Sequence, residues 1–167
     1  MAKKITMAGL LVALAMILSY IEILFPFQVG IPGIKLGLAN LVVLTALFFL
    51  SPAEVFCISL LRILLTGLLT GSGIALAFSL AGGVCSFLVM LACYKSGLLS
   101  PVGISLAGGT AHNIAQLATA ACLLQTSALL LYLPFLLLAG IVTGICNGLI
   151  AAKILKSKAL LILMNIH

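Results

Sequence analysis

The chain has 167 residues, of which 65% are hydrophobic and only 6% charged, against roughly a quarter charged in an average soluble domain. Most side chains of so small a soluble domain face outward, so lipid must cover this much apolar surface and a soluble globular fold is excluded. The apolar runs are continuous and rich in Leu and Ala instead of alternating over ~10-residue segments, which favours helices over a membrane β-barrel.

At ~20 residues per crossing, the length permits six spans with short loops in a single transmembrane domain, 1–167. Pro, Gly and Ser mark the breaks. Helix 1 is expected from about Lys4 to Leu24. Its apolar stretch, from about Ile5 to Phe27, is too long for a signal-peptide core and equally apolar runs follow, so it reads as a retained helix. A Pro/Gly-rich loop, Phe25 to Gly33, leads to helix 2 at about Ile34 to Leu50. Ser51-Pro52 gives a sharp start to helix 3, which reaches about Leu69. After the turn Thr70 to Gly73, helix 4 is expected from about Ile74 to Tyr94. Helix 5 covers about Val102 to Leu124, and helix 6 about Ala128 to Leu155, with Pro134 near its outer end. The stretch from Ala159 to His167 is apolar but too short to span.

Charge placement orients the chain. Lys3 and Lys4 precede helix 1, Lys95 lies between helices 4 and 5, and Lys153, Lys156 and Lys158 close helix 6. All six fall on one side of the expected topology, and only Lys35 falls on the other. Because cytoplasmic loops retain Lys and Arg, both termini are expected in the cytoplasm, in a multi-pass protein of the cell membrane. The net charge of +6 is juxtamembrane and suits anionic lipid headgroups, not nucleic acid. Five cysteines, at 57, 85, 93, 122 and 146, have no CxxC or metal-ligand spacing and read as small buried residues.

Arg62 is the basic residue left over, inside helix 3. A charge near the centre of a span costs roughly 2.5–3.5 kcal/mol on insertion scales, so an interaction must offset it. Ser59, Arg62, Thr66 and Thr70 form one polar stripe expected to face the interior. Either Arg62 is structural, paired with Glu22 or helix-end carbonyls, or it faces a ligand. Helix 5 carries a second stripe, Ser105, Gly109, His112, Gln116 and Thr119, with Asn113 at its edge. Glu22, Lys35 and Asn40 lie outward of mid-membrane. Glu22, Lys35, Asn40, Arg62 and His112, with Asn113 and Gln116, are candidates to line a pocket opening outward beneath the first loop, and Arg62 and Lys35 suit a carboxylate or phosphate.

Small residues add packing and docking candidates. Gly140, Gly144 and Gly148 recur every four residues, a spacing that permits close helix contact inside the protein. The pentapeptide Ser79 to Gly83 recurs at Ser105 to Gly109, either as small packing residues that let two helices approach or as the trace of a duplicated fold. Gly9 and Ala13 on helix 1 are candidates for docking another membrane subunit. With Glu22 and Glu54 the only carboxylate side chains, and no Walker A loop, HExxH, GxSxG or DDxxD motif, neither metal chemistry nor ATP hydrolysis is expected of this chain, and no cofactor.

The segments Pro32 to Val42 (with KLGLAN), Leu60 to Leu64, Ser79 to Gly83, and Ala111 to Gln116 (AHN-x-x-Q) resemble the bacterial Gx transporter family, also labelled heptaprenyl diphosphate synthase component I. That family is similar to the substrate-binding S-components of energy-coupling-factor transporters. The resemblance spans nearly the whole chain and implies a six-helix bundle with an outward pocket capped by the first loop. It also implies docking through helix 1 to a transmembrane coupling subunit driven by separate ATPases. Two functions remain: substrate capture for uptake of an anionic or amphipathic small molecule, or a non-catalytic accessory role in isoprenoid or quinone metabolism.

Overall fold

A computed structural model describes residues 2–24, 37–71 and 73–157, excepting the side chains of 2–4, 70 and 75. Lys35, the first loop, Lys158 and the apolar stretch from Ala159 onward lie outside the described residues. Within them the chain is all-helical. Its elements are α1 (Ala2–Leu24), α2 (Leu38–Leu47), α3 (Pro52–Thr70), α4 (Gly73–Ser96), α5 (Pro101–Leu123), a short 3-10 helix (Ser127–Tyr132) and α6 (Leu133–Leu155).

Local sequence explains the helix ends. At α3, the Ser51 N–H donates to Glu54 Oε2 at 2.8 Å and the Ser51 hydroxyl accepts from the Glu54 N–H, a reciprocal capping box with Pro52 in the first turn. At α5, Ser100 caps the helix from the Gly103 N–H at 3.3 Å, again followed by a proline. Pro134 changes the expected helix 6. Proline lacks an N–H and is tolerated only in a first helical turn, so α6 begins at Leu133 and the residues before it wind as the 3-10 helix.

Among the described residues, four segments are long and apolar enough to cross a membrane: Ile5–Leu24, Pro52–Leu69, Leu76–Ser96 and Ser127–Leu155. This is a multi-pass membrane protein. Six crossings are the expectation from sequence, and α2 and α5 depart from it for different reasons. At 1.5 Å per residue α5 is about 35 Å long, enough to span, but its polar stripe lowers its hydropathy. By the same measure α2 covers only about 15 Å, half of a hydrocarbon core.

Helix α2 is the centre of the bundle. It touches each of the other five α-helices, and seven of its ten residues are buried. A helix apolar all round belongs inside, enclosed by protein. Around it the neighbours run α1, α3, α4, α5 and α6, each packed on the next. Val43, Leu44, Ala46 and Leu47 of α2 build the core with Val55, Phe87, Met90, Ile104 and Ala151. The Phe48 and Tyr94 rings meet edge to face at 5.0 Å and tie the α2–α3 turn to the end of α4. This packed end of the bundle carries Lys95, Lys153 and Lys156. The cysteines correct the sequence expectation: Cys57, Cys122 and Cys146 are exposed and Cys85 and Cys93 half-buried. A thiol is apolar enough to stand on the outer face of a membrane helix.

Glycines set the closest helix contacts. A Cβ at Gly144 would lie 2.7 Å from the Leu106 Cα, and one at Gly148 would lie 2.5 Å from the Val102 Cα. A Cβ at Gly109 would lie 3.0 Å from the Gly140 carbonyl oxygen. The glycine repeat of α6 is therefore an internal seam on α5, where backbone meets backbone. The repeated pentapeptide serves the neighbouring seam: Gly108 accommodates Met90 and Ser86, and Gly82 accommodates His112 and Gln116.

Candidate functional site

At the end of the bundle opposite the core, the helices leave a cavity of about 260 Å³. Its walls come from five elements: Ser19 and Glu22 on α1, Gly37 and Asn40 at the start of α2, Arg62 and Thr66 on α3, Ser79 on α4, and His112 and Gln116 on α5. Five residues singled out from sequence, Glu22, Asn40, Arg62, His112 and Gln116, thus meet around one space.

Arg62 is the most deeply placed of them, only 9% exposed. Its Nη1 donates to Ser19 Oγ at 3.2 Å. Its Nε and Nη2 have no hydrogen-bond partner, and neither has Thr66 Oγ1 one turn further along α3. A buried polar atom left unsatisfied costs about 1–3 kcal/mol, more for a charged group. The stripe on α3 places these donors together because residues three and four apart share a helix face.

Glu22 holds the start of α2: its Oε1 accepts the Leu38 N–H at 2.8 Å. The first N–H groups of a helix lack internal partners and carry partial positive charge, which suits a carboxylate. Gly37, just before, is left-handed at φ 68, a conformation that glycine adopts without a Cβ penalty. The Gly37 carbonyl accepts from Asn147 Nδ2 of α6 at 3.1 Å. One acid and one amide, from opposite sides of α2, thereby fix the entrance to the central helix.

The α5 stripe divides between two tasks. His112 and Gln116 line the cavity, and Gly82 lets them approach α4: a Cβ there would lie 2.7 Å from the Gln116 Cγ. Ser105 and Gly109, nearer the start of the helix, face the glycine seam of α6. Thr119 bonds back to the Ala115 carbonyl at 2.8 Å. Asn113 stands outside the main cavity. Its Nδ2 donates to the Leu136 carbonyl at 2.8 Å, a carbonyl in the first turn of α6, and it borders a cleft of about 20 Å³ shared with His112 and Asn147.

Gly9 and Ala13 are both exposed on α1, and a Cβ at Gly9 would meet nothing within 4 Å. Lys35 lies outside the described residues. Two wall residues escape a reading of sequence alone. Ser19 leaves one signal, its place one turn before Glu22 on α1; Ser79 is hidden within the repeated pentapeptide.

Among the described residues no cluster of three or more His, Cys, Asp or Glu side chains suits a metal ion. What the cavity offers is recognition: a guanidinium, two amides, an imidazole, hydroxyls and one carboxylate, within low-dielectric walls where such groups discriminate strongly.

No curated protein and no solved structure matches the chain. A family model described as heptaprenyl diphosphate synthase component I matches residues 11–154, a range holding every residue that lines the cavity. The chain belongs to the heptaprenyl diphosphate synthase component I family.

Proposed function

We propose that this chain is the substrate-binding subunit of a small-molecule uptake transporter, resembling an energy-coupling-factor S-component. It takes an anionic or amphipathic ligand into an outward-facing cavity and depends on a separate transmembrane coupling subunit and ATPases for energy. Arg62 carries the reading. A guanidinium buried in a membrane protein, with two nitrogens unpaired, on the wall of a cavity with four other polar candidates, suits an anion better than a purely structural charge. Glu22, Asn40, Arg62, His112 and Gln116 are the proposed ligand contacts, and Lys35 is proposed with them. Asn113 belongs to the same set in supporting the helix that carries His112. The grouping of Lys95, Lys153 and Lys156 at the packed end supports an outward cavity, since basic residues stay cytoplasmic. The exposed small-residue face at Gly9 and Ala13 is the proposed contact with the coupling subunit.

Native mass spectrometry of protein purified in mild detergent tests this reading. A retained small molecule is expected, lost on Arg62→Met and on His112→Leu. Undiminished retention in both variants would sink the assignment.

The family description favours a second reading, a non-catalytic membrane accessory of isoprenoid metabolism. It predicts a soluble synthase in detergent pull-downs, bound independently of Arg62. ATPase and coupling subunits in the same pull-down would support transport.

A further inference from the structure

The pattern of unpaired donors in the cavity identifies the chemistry of the group that binds there, an inference resting on the reading of the cavity as a ligand site. Arg62 Nε and Nη2 share one edge of the planar guanidinium, with their N–H bonds directed the same way, while Nη1 is engaged by Ser19 Oγ. That free edge is the fork that matches two oxygens of a carboxylate or phosphate.

Thr66 adds an independent observation. Four other helix threonines turn their hydroxyls back to their own helix: Thr45 to the Leu41 carbonyl, Thr110 to Leu106, Thr119 to Ala115 and Thr143 to Ala139. This is the ordinary way to satisfy a hydroxyl within an apolar bundle. Thr66 departs from it; its Oγ1 is buried with no partner, one turn from Arg62 on the cavity wall. Glu22, the acid of the same cavity, accepts the Leu38 N–H and its charge acts on Arg62, yet the Nε–Nη2 edge has no hydrogen-bond partner.

We infer that the ligand carries an oxyanion, a carboxylate or a phosphate, seated on the Nε–Nη2 edge of Arg62 with the Thr66 hydroxyl as a third donor. A cavity of about 260 Å³ lies just below the usual range of small-molecule sites, so the anion is borne by a compact molecule.

The test uses purified protein in lipid nanodiscs and three probes of similar shape: benzoate, phenyl phosphate and neutral benzamide, followed by saturation-transfer NMR. Wild type is expected to bind at least one anion and to ignore benzamide, and the tighter anion identifies the oxyanion. Arg62→Lys keeps the charge and loses the fork, so it weakens that anion by roughly tenfold. Thr66→Val keeps the shape and loses the hydroxyl, for a loss of about threefold. Equal binding of benzamide, no anion binding to wild type, or undiminished anion binding in both variants would overturn the inference. If native mass spectrometry still shows an Arg62-dependent small molecule, only the oxyanion fails; if it does not, the transport reading fails as well.

Discussion

Arg62 Nη1 donates to Ser19 Oγ at 3.2 Å across 43 residues of sequence, and both side chains are buried. This bond joins α1 to α3 at the wall of the cavity and leaves the far edge of the guanidinium available. Removing the hydroxyl would strand a third nitrogen in apolar surroundings. Ser19→Ala is therefore expected to destabilise the protein by about 1–3 kcal/mol, read as a lower thermal midpoint in detergent. Ser19→Thr, which keeps the hydroxyl, should recover most of the loss. An alanine variant as stable as wild type would mean that the bond contributes nothing.

Two glycines, buried Gly144 and exposed Gly9, should respond in opposite ways to added volume. At Gly144 a new Cβ would stand 2.7 Å from the Leu106 Cα and 3.1 Å from the Ser105 carbonyl oxygen. Backbone cannot swing aside as a side chain does, so Gly144→Ala should cost about 1–3 kcal/mol by overpacking. At Gly9 nothing lies within 4 Å, and Gly9→Ala should leave stability unchanged or raise it by about 0.5–1 kcal/mol through helix propensity. If that face docks a coupling subunit, Gly9→Leu will melt like wild type yet lose the partner on co-purification.

The entrance to α2 rests on Glu22 and Gly37. Glu22→Leu removes the acceptor of the Leu38 N–H and should cost about 1–3 kcal/mol. Gly37→Ala forces a Cβ into the left-handed region at φ 68, for about 1–2 kcal/mol. Hydrogen exchange localises both effects: faster exchange is expected at residues 38–41, with the packed core around Leu44 unchanged. Uniform acceleration throughout the bundle would contradict this local anchoring.

Sidedness is testable by labelling. In a cysteine-free background, Ser96→Cys lies beside Lys95 at the packed end, and Gln125→Cys lies in the connection after α5 at the cavity end. A membrane-impermeant maleimide added to intact cells should label the second and spare the first. The reverse pattern would turn the cavity toward the cytoplasm and remove the uptake reading.

The helices and the main polar residues were legible in the chain because they depend on local chemistry. Ser51, Pro52 and Glu54 announce the start of α3, and the structure realises them as a capping box. The glycine repeat at 140, 144 and 148 announces close packing, and α5 supplies the partner. Other features were hidden. The apolarity of α2 reads as lipid exposure, yet it reflects enclosure by protein; hydropathy alone does not distinguish the two solvents. The α5 stripe reads as one surface, yet His112 and Gln116 turn to the cavity while Ser105 and Gly109 meet α6. Asn113 reads as a pocket residue; it stands outside the main cavity, borders the small cleft beside it and donates to the carbonyl of Leu136.

Composition and charge alone determined that this chain lives in lipid, and that a few polar side chains had to find shelter within it. Those conclusions follow from transfer free energies, which each residue carries wherever it stands. Tertiary structure alone decided that Ser19 meets Arg62, that Glu22 holds α2, and that eight polar side chains share one cavity. Such meetings depend on how far each helix is rotated and how closely it approaches its neighbour. Contacts between segments distant in sequence, such as the glycine seam of α6 on α5, set both quantities, and no local stretch of sequence encodes them.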